Sequence, residues 1–216
     1  FTHFQSLLNQ TDNYSAPELE TYIKENKDTT FNELNFTITN TEVSRAISKL
    51  KNNKSPGLDG IRNEIIKCGH LVLTPALAKL FNNILVNETF PNLWRTNTLT
   101  PIHKKGDPLS PNNYRGIAVS SHLCKLFCSV LNNRLLNFTE KHDTIPCNQI
   151  GFRRNCRTSD HILTLKTIID KYLNRLPRQY LFSCFVDFKA AFDTVWRQAL
   201  LYKLITCGIS GNLDRK

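Results

Sequence analysis

The sequence contains no methionine and no two adjacent aspartates, and its acidic residues are outnumbered by basic ones. Lys and Arg together number 28 and Asp and Glu 18, which gives a formal net charge of +10 with His neutral. A surplus of this size favours a polyanionic partner, with nucleic acid ahead of an acidic membrane. No run approaches the roughly 20 apolar residues that a membrane span needs, so we expect no membrane partner.

Other absences narrow the function further. No GxxxxGK[ST] segment is present, so a P-loop is not the way any phosphate is held. The seven cysteines form no CxxC pair, which argues against zinc and disulfides and favours an intracellular setting, in cytoplasm and nucleus. His103 and His142 lack a serine or carboxylate partner in a recognisable arrangement, so a hydrolase triad is not supported. Since the chain starts at Phe1 and stops on "GNLDRK", we interpret it as a fragment.

The spacing of apolar residues predicts a helix-rich chain. Thr39 and Glu42 have the spacing of a capping box, and Ser121 is the expected cap of a long helix. Another helix is expected to begin near Thr158, and Gly208 to stop the last one. The apolar positions that define these helices are Val43, Ala46, Ile47 and Leu50; Leu73, Leu77, Leu80, Phe81, Ile84 and Leu85, closed by Pro91; Leu123, Leu126, Phe127, Val130, Leu131 and Leu135; Ile162, Leu165, Ile168, Ile169 and Tyr172; and Val195, Trp196, Leu200 and Leu204.

Strands are predicted at few places. The alternating stretch "RTNTLTPIHKKGDP" predicts a strand that runs into a basic turn. Residues 180–188, "YLFSCFVDF", predict a second strand, and the Ser-Pro-Gly and Asp-Gly steps of "KNNKSPGLDGIRNEIIK" predict turns. Many helices and few strands indicate an α/β (α+β) fold.

Asp187 ends the second predicted strand, where a lone acid is costly unless something charged meets it. A metal, a basic side chain or water could do so. Carboxylates on a rigid strand suit a divalent ion, and the backbone carbonyl of Phe188 could face the same ion. Asp193 is interpreted as a first-turn acid of the following helix and is left out of the metal site.

Two basic stretches could bind a polyanion. The first carries Lys104, Lys105, Arg115 and Gly116, where arginine offers a triphosphate two-pronged hydrogen bonding and glycine lets backbone come close. It could equally be a solvated turn.

The second basic stretch is "QIGFRRNCRTSDHI", in which Arg153, Arg154 and Arg157 lie beside the aromatic Phe152. Arginine next to an aromatic suits nucleic-acid backbones and stacked bases. The alternative is a basic loop capped by Thr158 or Ser159.

Taken in order, four stretches resemble the reverse transcriptases of non-LTR (LINE-type) retrotransposons, the jockey-like group especially. "NNKSPGLDGIRNEIIK" and "LTPIHKKGDPLSPNNYRGIAVSS" are similar to the two fingers motifs of the family, "QIGFRRNCRTSDHI" to the next block, and "FVDFKAAFDTVWR" to motif A of the palm. The resemblance implies a right-hand polymerase fold, with fingers and a partial palm whose sheet is incomplete. It divides the chain into an N-terminal extension or linker at 1–38, fingers and the fingers/palm connection at 39–178, and a partial palm at 179–216.

The resemblance also implies roles. Asp187 matches the first palm aspartate, a ligand to two Mg²⁺ (or Mn²⁺) ions, and Phe188 the residue whose carbonyl completes that site. Phe192 matches the aromatic that packs on the incoming sugar. Arg115 matches the fingers arginine on the triphosphate, and Lys104 or Lys105 the nearby lysine. The substrates implied are an RNA template, a DNA primer and a dNTP.

The sequence departs from the family pattern in one important respect. The palm of the family also carries two adjacent aspartates, usually in "[FY]ADD", and these are absent here. We therefore expect the isolated chain not to polymerise, and the unpaired strand 180–188 to make it poorly soluble. The competing hypothesis is a noncatalytic module, or relic, that binds nucleic acid.

Overall fold

A computed structural model describes residues 17, 21, 22, 25, 34–174, 180–188, 191, 192 and 194–209. In these ranges the chain is rich in helix and has one two-stranded antiparallel sheet, which confirms the predicted helix-rich α/β class. No helix among them is long and apolar enough to cross a bilayer. The elements are α1 (Asn40–Ser48), α2 (Asn63–Cys68), α3 (His70–Asn87), α4 (Asn92–Arg95), β1 (Thr98–His103), β2 (Tyr114–Val119), α5 (His122–Lys141), α6 (Thr158–Leu173) and α7 (Arg197–Thr206).

The chain divides into two compact units. The first comprises the residues up to Leu135 together with those from Phe192 onward, and the second comprises Leu136–Ala191. This division follows compactness alone, so the functional boundaries at 38/39 and 178/179 stay predictions.

The first unit has a packed apolar core. Its centre is a cluster of aromatic rings, with Phe81 5.2 Å from Phe127 and 6.3 Å from Trp94 between ring centroids. Tilted and edge-on contacts at such distances stabilise beyond the area they bury. The buried residues of this core are Ile38, Val43, Ala46, Ile47, Ile66, Leu77, Ala78, Phe81, Ile84, Trp94, Cys124, Leu126, Phe127 and Val130. Most of the apolar positions predicted for α1, α3 and α5 therefore lie inside, whereas Leu80 is partly exposed.

The predicted capping box at the start of α1 is confirmed. The Glu42 N–H donates to the Thr39 hydroxyl at 3.3 Å, and the Thr39 N–H donates to the Glu42 carboxylate at 2.9 Å. Two of the backbone donors that a helix start leaves unpaired are thereby satisfied.

Arg134 on α5 binds the same region at the start of α1. Its guanidinium donates twice to the Glu42 carboxylate, at 2.6 and 2.9 Å. It also donates to the carbonyls of Leu34, Phe36 and Thr37, at 3.3, 2.5 and 2.9 Å. All the N–H donors of the guanidinium are used, so this arginine ties the segment before α1 to α5.

The Ser-Pro-Gly turn packs against the start of α5. A Cβ on Gly57 would lie 2.6 Å from the Ser121 nitrogen, so only glycine fits there. The Ser121 hydroxyl donates to Asp59 at 2.5 Å and accepts from the N–H groups of Leu123 and Cys124. The prediction that Ser121 caps this helix is confirmed, and Asp59 fixes the orientation of the cap.

Helix α3 ends earlier than predicted. It stops at Asn87, and Glu88 adopts a left-handed conformation with φ of 53°, so Pro91 does not close it. Helix α7 also starts later than its apolar pattern predicted, since Val195 and Trp196 precede it. Gly208, with φ of 79°, ends α7 as predicted.

The predicted strand at residues 180–188 is wrong. None of these residues has strand structure, and the only sheet in the described part of the chain is β1 with β2. A strand needs a hydrogen-bonding neighbour, and an apolar run cannot report whether one is present. Phe182 and Phe185 are 92% and 82% exposed, so the expectation of poor solubility now has an exposed apolar segment as its cause rather than a strand edge.

Candidate functional site

The β1–β2 hairpin positions the first group of predicted site residues. The strands pair from Thr98 opposite Val119 to His103 opposite Tyr114, which places Ile102 opposite Arg115. Directly opposed side chains in an antiparallel pair lie on one face. The pairing continues for one step, since the Lys104 N–H donates to the Asn113 carbonyl at 2.7 Å. This was the strand predicted at "RTNTLTPIH"; its partner β2 was not predicted, because "YRGIAV" is short and contains a glycine.

This register separates the two lysines. Lys104 follows directly after the end of β1, and continuing the alternation of side chains past Ile102 would place it on the face of Arg115. Lys105 lies one residue further, in the turn. Lys104, Lys105 and Arg115 are all exposed, as a site for a charged ligand from solution requires.

The tip of the hairpin is held by its own polar groups. The Asn113 amide donates to the Asp107 carbonyl at 2.9 Å, and the Tyr114 hydroxyl donates to the Pro108 carbonyl at 2.8 Å. Gly106 has φ of 85°, and a Cβ there would meet the Asn113 amide at 2.8 Å. The tip is therefore shaped by specific contacts, and its lysines project from a defined turn.

Gly116 lies in β2 opposite Pro101. Pro101 donates no backbone hydrogen bond at this step, because proline has no N–H. The glycine is exposed.

The second group surrounds Asp187 and belongs to the second unit. Asp187 and Phe188 are exposed, and Phe188 is 76% exposed. Among the residues that the structure describes, no three His, Cys, Asp or Glu side chains gather as a metal site would require. One carboxylate with one carbonyl does not fit two Mg²⁺ ions, which take six oxygen ligands each.

Two further predicted positions lie near Asp187 in sequence. Phe192 belongs to the first unit and is 81% exposed. Asp193, predicted to be a first-turn helix acid, lies outside the described residues.

The arginine loop of the second unit is more structured than its sequence indicates. Arg153 donates to the Glu140 carboxylate at 3.0 and 2.6 Å, and Arg154 donates to the Asn137 amide oxygen at 2.6 Å. Arg153 lowers the pKa of Glu140 through these hydrogen bonds. The Arg157 N–H, rather than Thr158 or Ser159, meets the start of α6, donating to Asp160 at 2.6 Å.

The residues that sequence reasoning missed are the partners of these arginines. Glu140 and Asn137 lie on α5, 13 and 17 residues before Arg153 and Arg154. No helical or strand period links residues at those separations. The available signal was their own i, i+3 spacing, which places them on one face of α5.

The similarity of this chain to known proteins identifies its family. Residues 102–213 match the family described as Reverse transcriptase (RNA-dependent DNA polymerase). The chain belongs to the reverse transcriptase family. The match begins within β1 and includes the hairpin, the arginine loop and the Asp187 segment.

Individual relatives of this reverse transcriptase chain come from mobile elements. It is 33% identical over 165 residues to the "Probable RNA-directed DNA polymerase from transposon BS" of Drosophila melanogaster, covering 76% of this chain and 18% of that protein. It is 34% identical over 168 residues to the "RNA-directed DNA polymerase from mobile element jockey" of Drosophila funebris, covering 77% and 18%. The resemblance to jockey-like non-LTR elements is confirmed, and the chain spans about a fifth of these relatives' length.

Proposed function

We propose that this chain forms the nucleotide-binding fingers and the start of the palm of a non-LTR retrotransposon polymerase. The complete enzyme would add dNTPs to a DNA primer on an RNA template. The observation that supports this is the braced hairpin, in which Arg115 lies opposite Ile102 and Lys104 follows directly at the end of β1, within the part that matches the family.

The two cations have different tasks in this proposal. Arg115 binds the triphosphate through two parallel N–H groups, which fixes the orientation of the phosphates. Lys104 adds a point charge on the same face, so it is our choice for the phosphate contact, and Lys105 is not. Gly116 and Phe192 stay candidates for the backbone approach and the sugar contact.

Asp187 would contribute one carboxylate, and Phe188 one carbonyl, to the divalent ions that reverse transcriptases use. The described residues do not complete such a site, so the chemical step needs further ligands. We accordingly expect no dNTP incorporation by residues 1–216 alone on a primed template. Incorporation that Asp187→Ala abolishes would contradict this.

Triphosphate binding tests the proposal without requiring catalysis. Titrating the chain with a fluorescent dNTP analogue and following anisotropy should give binding that Arg115→Ala weakens by about tenfold or more, the usual effect of losing a charged hydrogen bond. Arg115→Lys should restore only part of it.

The two lysines are each other's matched control. Lys104→Ala should weaken binding of the analogue several-fold, and Lys105→Ala, which removes the same net charge one residue away, should change it less than twofold. Equal losses would mean that only general charge is sensed, and no loss in any variant would remove the hairpin from the nucleotide site.

The second candidate is a module that binds nucleic acid without chemistry, in cytoplasm or nucleus. It is favoured by the missing metal ligands among the described residues together with the arginine loop. The chain would then bind RNA while showing no preference for dNTPs over inorganic triphosphate, and Arg115→Ala would affect both equally.

A further inference from the structure

His103 and Tyr114 form the last opposed pair of the β1–β2 hairpin. The pair lies one step beyond Ile102 and Arg115, so its two rings project from the face that does not carry Arg115. The rings meet edge-on, with 5.2 Å between their centroids and 60° between their planes, a favourable geometry for an aromatic pair. The two residues directly precede the proposed phosphate ligands, Lys104 and Arg115.

Each ring also holds the loop at the tip of the hairpin. The Nε2 of His103 lies 3.2 Å from the Gly106 carbonyl, which can only accept, so this nitrogen carries the proton and donates. The Tyr114 hydroxyl donates to the Pro108 carbonyl at 2.8 Å. We call these two hydrogen bonds, together with the contact between the rings, the ring clamp.

The ring clamp orders a loop that would otherwise have many conformations. Residues 104–113 join the strands, a connection longer than the roughly two to five residues of a usual hairpin loop. Lys104 begins this loop, and its N–H donates to the Asn113 carbonyl. Every residue of β1 is exposed, so His103 contributes local order here rather than core packing. Holding the tip on the face of the rings leaves the face of Arg115 clear for a ligand.

We propose that Tyr114 and His103 are positioning residues of the phosphate site, which hold the hairpin tip away from the face of Arg115 and fix the backbone that carries Arg115 and Lys104. This deepens the proposed function and rests on it, since it takes the two cations to be triphosphate ligands. Neither ring meets the ligand. They strengthen binding because a loop that is ordered in advance loses less conformational entropy when the ligand arrives.

The experiment is titration of the chain with a fluorescent dNTP analogue, followed by anisotropy. Tyr114→Phe keeps the ring and the net charge but removes the donor to the Pro108 carbonyl. It should weaken binding about threefold or more, the usual effect of losing one neutral hydrogen bond. The matched control is Tyr180→Phe, which removes a hydroxyl from a side chain that lies outside the hairpin and is 89% exposed. It should leave the affinity unchanged.

Two substitutions of His103 test the second bond of the ring clamp. His103→Gln keeps an N–H donor for the Gly106 carbonyl and should bind the analogue within about twofold of the wild type. His103→Phe keeps an aromatic ring without a donor and should bind as weakly as Tyr114→Phe. Equal affinities of the two variants would remove His103 from the positioning role.

A double-mutant cycle separates positioning from a general loss of stability. In a Lys104→Ala background, Tyr114→Phe should weaken binding less than it does in the wild type, because one of the cations that it positions is absent. Additive losses would mean that the ring clamp only stabilises the hairpin, and they would overturn the proposal.

Failure of the positioning role differs from failure of the proposed function. If the wild-type chain does not bind the analogue, the proposed function is wrong and the positioning role is wrong with it. If the wild type binds and Arg115→Ala weakens the binding, the nucleotide site stands. A Tyr114→Phe variant that then binds as tightly as the wild type, with the same melting temperature, overturns the positioning role alone.

Discussion

Arg134 in the first unit and Arg153 in the second are both bound by a glutamate through two hydrogen bonds, but the surroundings of the two pairs differ. The two pairs are similarly exposed, at 11% for Arg134 and 29% for Glu42 against 18% for Arg153 and 36% for Glu140, but Arg134 also bonds three backbone carbonyls, whereas Arg153 bonds one, that of Pro146. The first pair is built into a packed corner beside an apolar core. The second holds a surface loop whose neighbouring helix α6 has no buried residue. We therefore expect the Arg134 pair, which lies beside an apolar core and bonds three carbonyls, to contribute more to stability than the Arg153 pair.

The largest expected effect is in the core of the first unit. Phe81 is fully buried among Trp94 and Phe127, so Phe81→Ala should lower the free energy of unfolding by about 3 to 5 kcal/mol. Urea unfolding followed by fluorescence, in a Trp196→Phe background where Trp94 alone reports, measures it. Phe81→Leu should cost much less, and equal costs would show that the cluster is not packed as described.

Removing Arg134 should cause the next largest loss of stability. Arg134→Ala leaves the Glu42 carboxylate and three carbonyls without their donor, which we expect to cost about 3 kcal/mol. Arg134→Lys should recover only part, since an ammonium cannot serve a carboxylate and three carbonyls together. The matched change Arg153→Ala should cost much less, because that pair is slightly more exposed and bonds one backbone carbonyl rather than three. Equal losses of stability in Arg134→Ala and Arg153→Ala would contradict the proposed difference between the two ion pairs.

Stability should depend on pH through Glu42. Burial raises its pKa, but hydrogen bonds from Arg134 and Thr39 lower it more, to about 2 from the ordinary 4.5. The ionised form is thus favoured in the folded state, so the stabilisation is complete above pH 4.5 and is lost as the pH falls toward 2. Allowing for screening by water, we expect roughly 1 kcal/mol.

The measurement is the urea midpoint of wild type and Glu42→Gln at several pH values. The difference between them should be largest at neutral pH and shrink below pH 4.5. In an Arg134→Ala background the same substitution should show little of this dependence. A difference that stays constant down to pH 2 would contradict the account.

The sequence correctly predicted the features that depend on residues close together in the chain. The Thr39–Glu42 capping box, the Ser121 cap and the Gly208 stop depend on residues within a few positions of one another, and all three are present. The strand at 180–188 depended on a partner strand that an apolar run cannot report.

In the candidate site, too, the features that sequence could not predict are those that depend on distant partners. The placement of Lys104 on the face of Arg115 follows only once β2 and its register are known. The Glu140 partner of Arg153 depends on how a loop folds back on a helix, which no spacing encodes. The motifs therefore supplied the candidate residues, and the structure was needed to show that Arg153 and Arg154 are bound by side chains of α5.

The smallest expected effect concerns α6. Its apolar positions predicted a helix correctly, but Ile162 is 65% exposed and Leu163 64%. Ile162→Ser should change stability by less than about 0.5 kcal/mol, as surface changes usually do. Its control, Ile84→Ser on α3, replaces a side chain that is 7% exposed and should cost several kcal/mol. A large loss at Ile162 would mean that the face of α6 is covered in solution, and the contrast between a packed and an open unit would then fail. An amphipathic pattern reports that a helix has an apolar face, whereas only this pair of variants reports whether that face is buried.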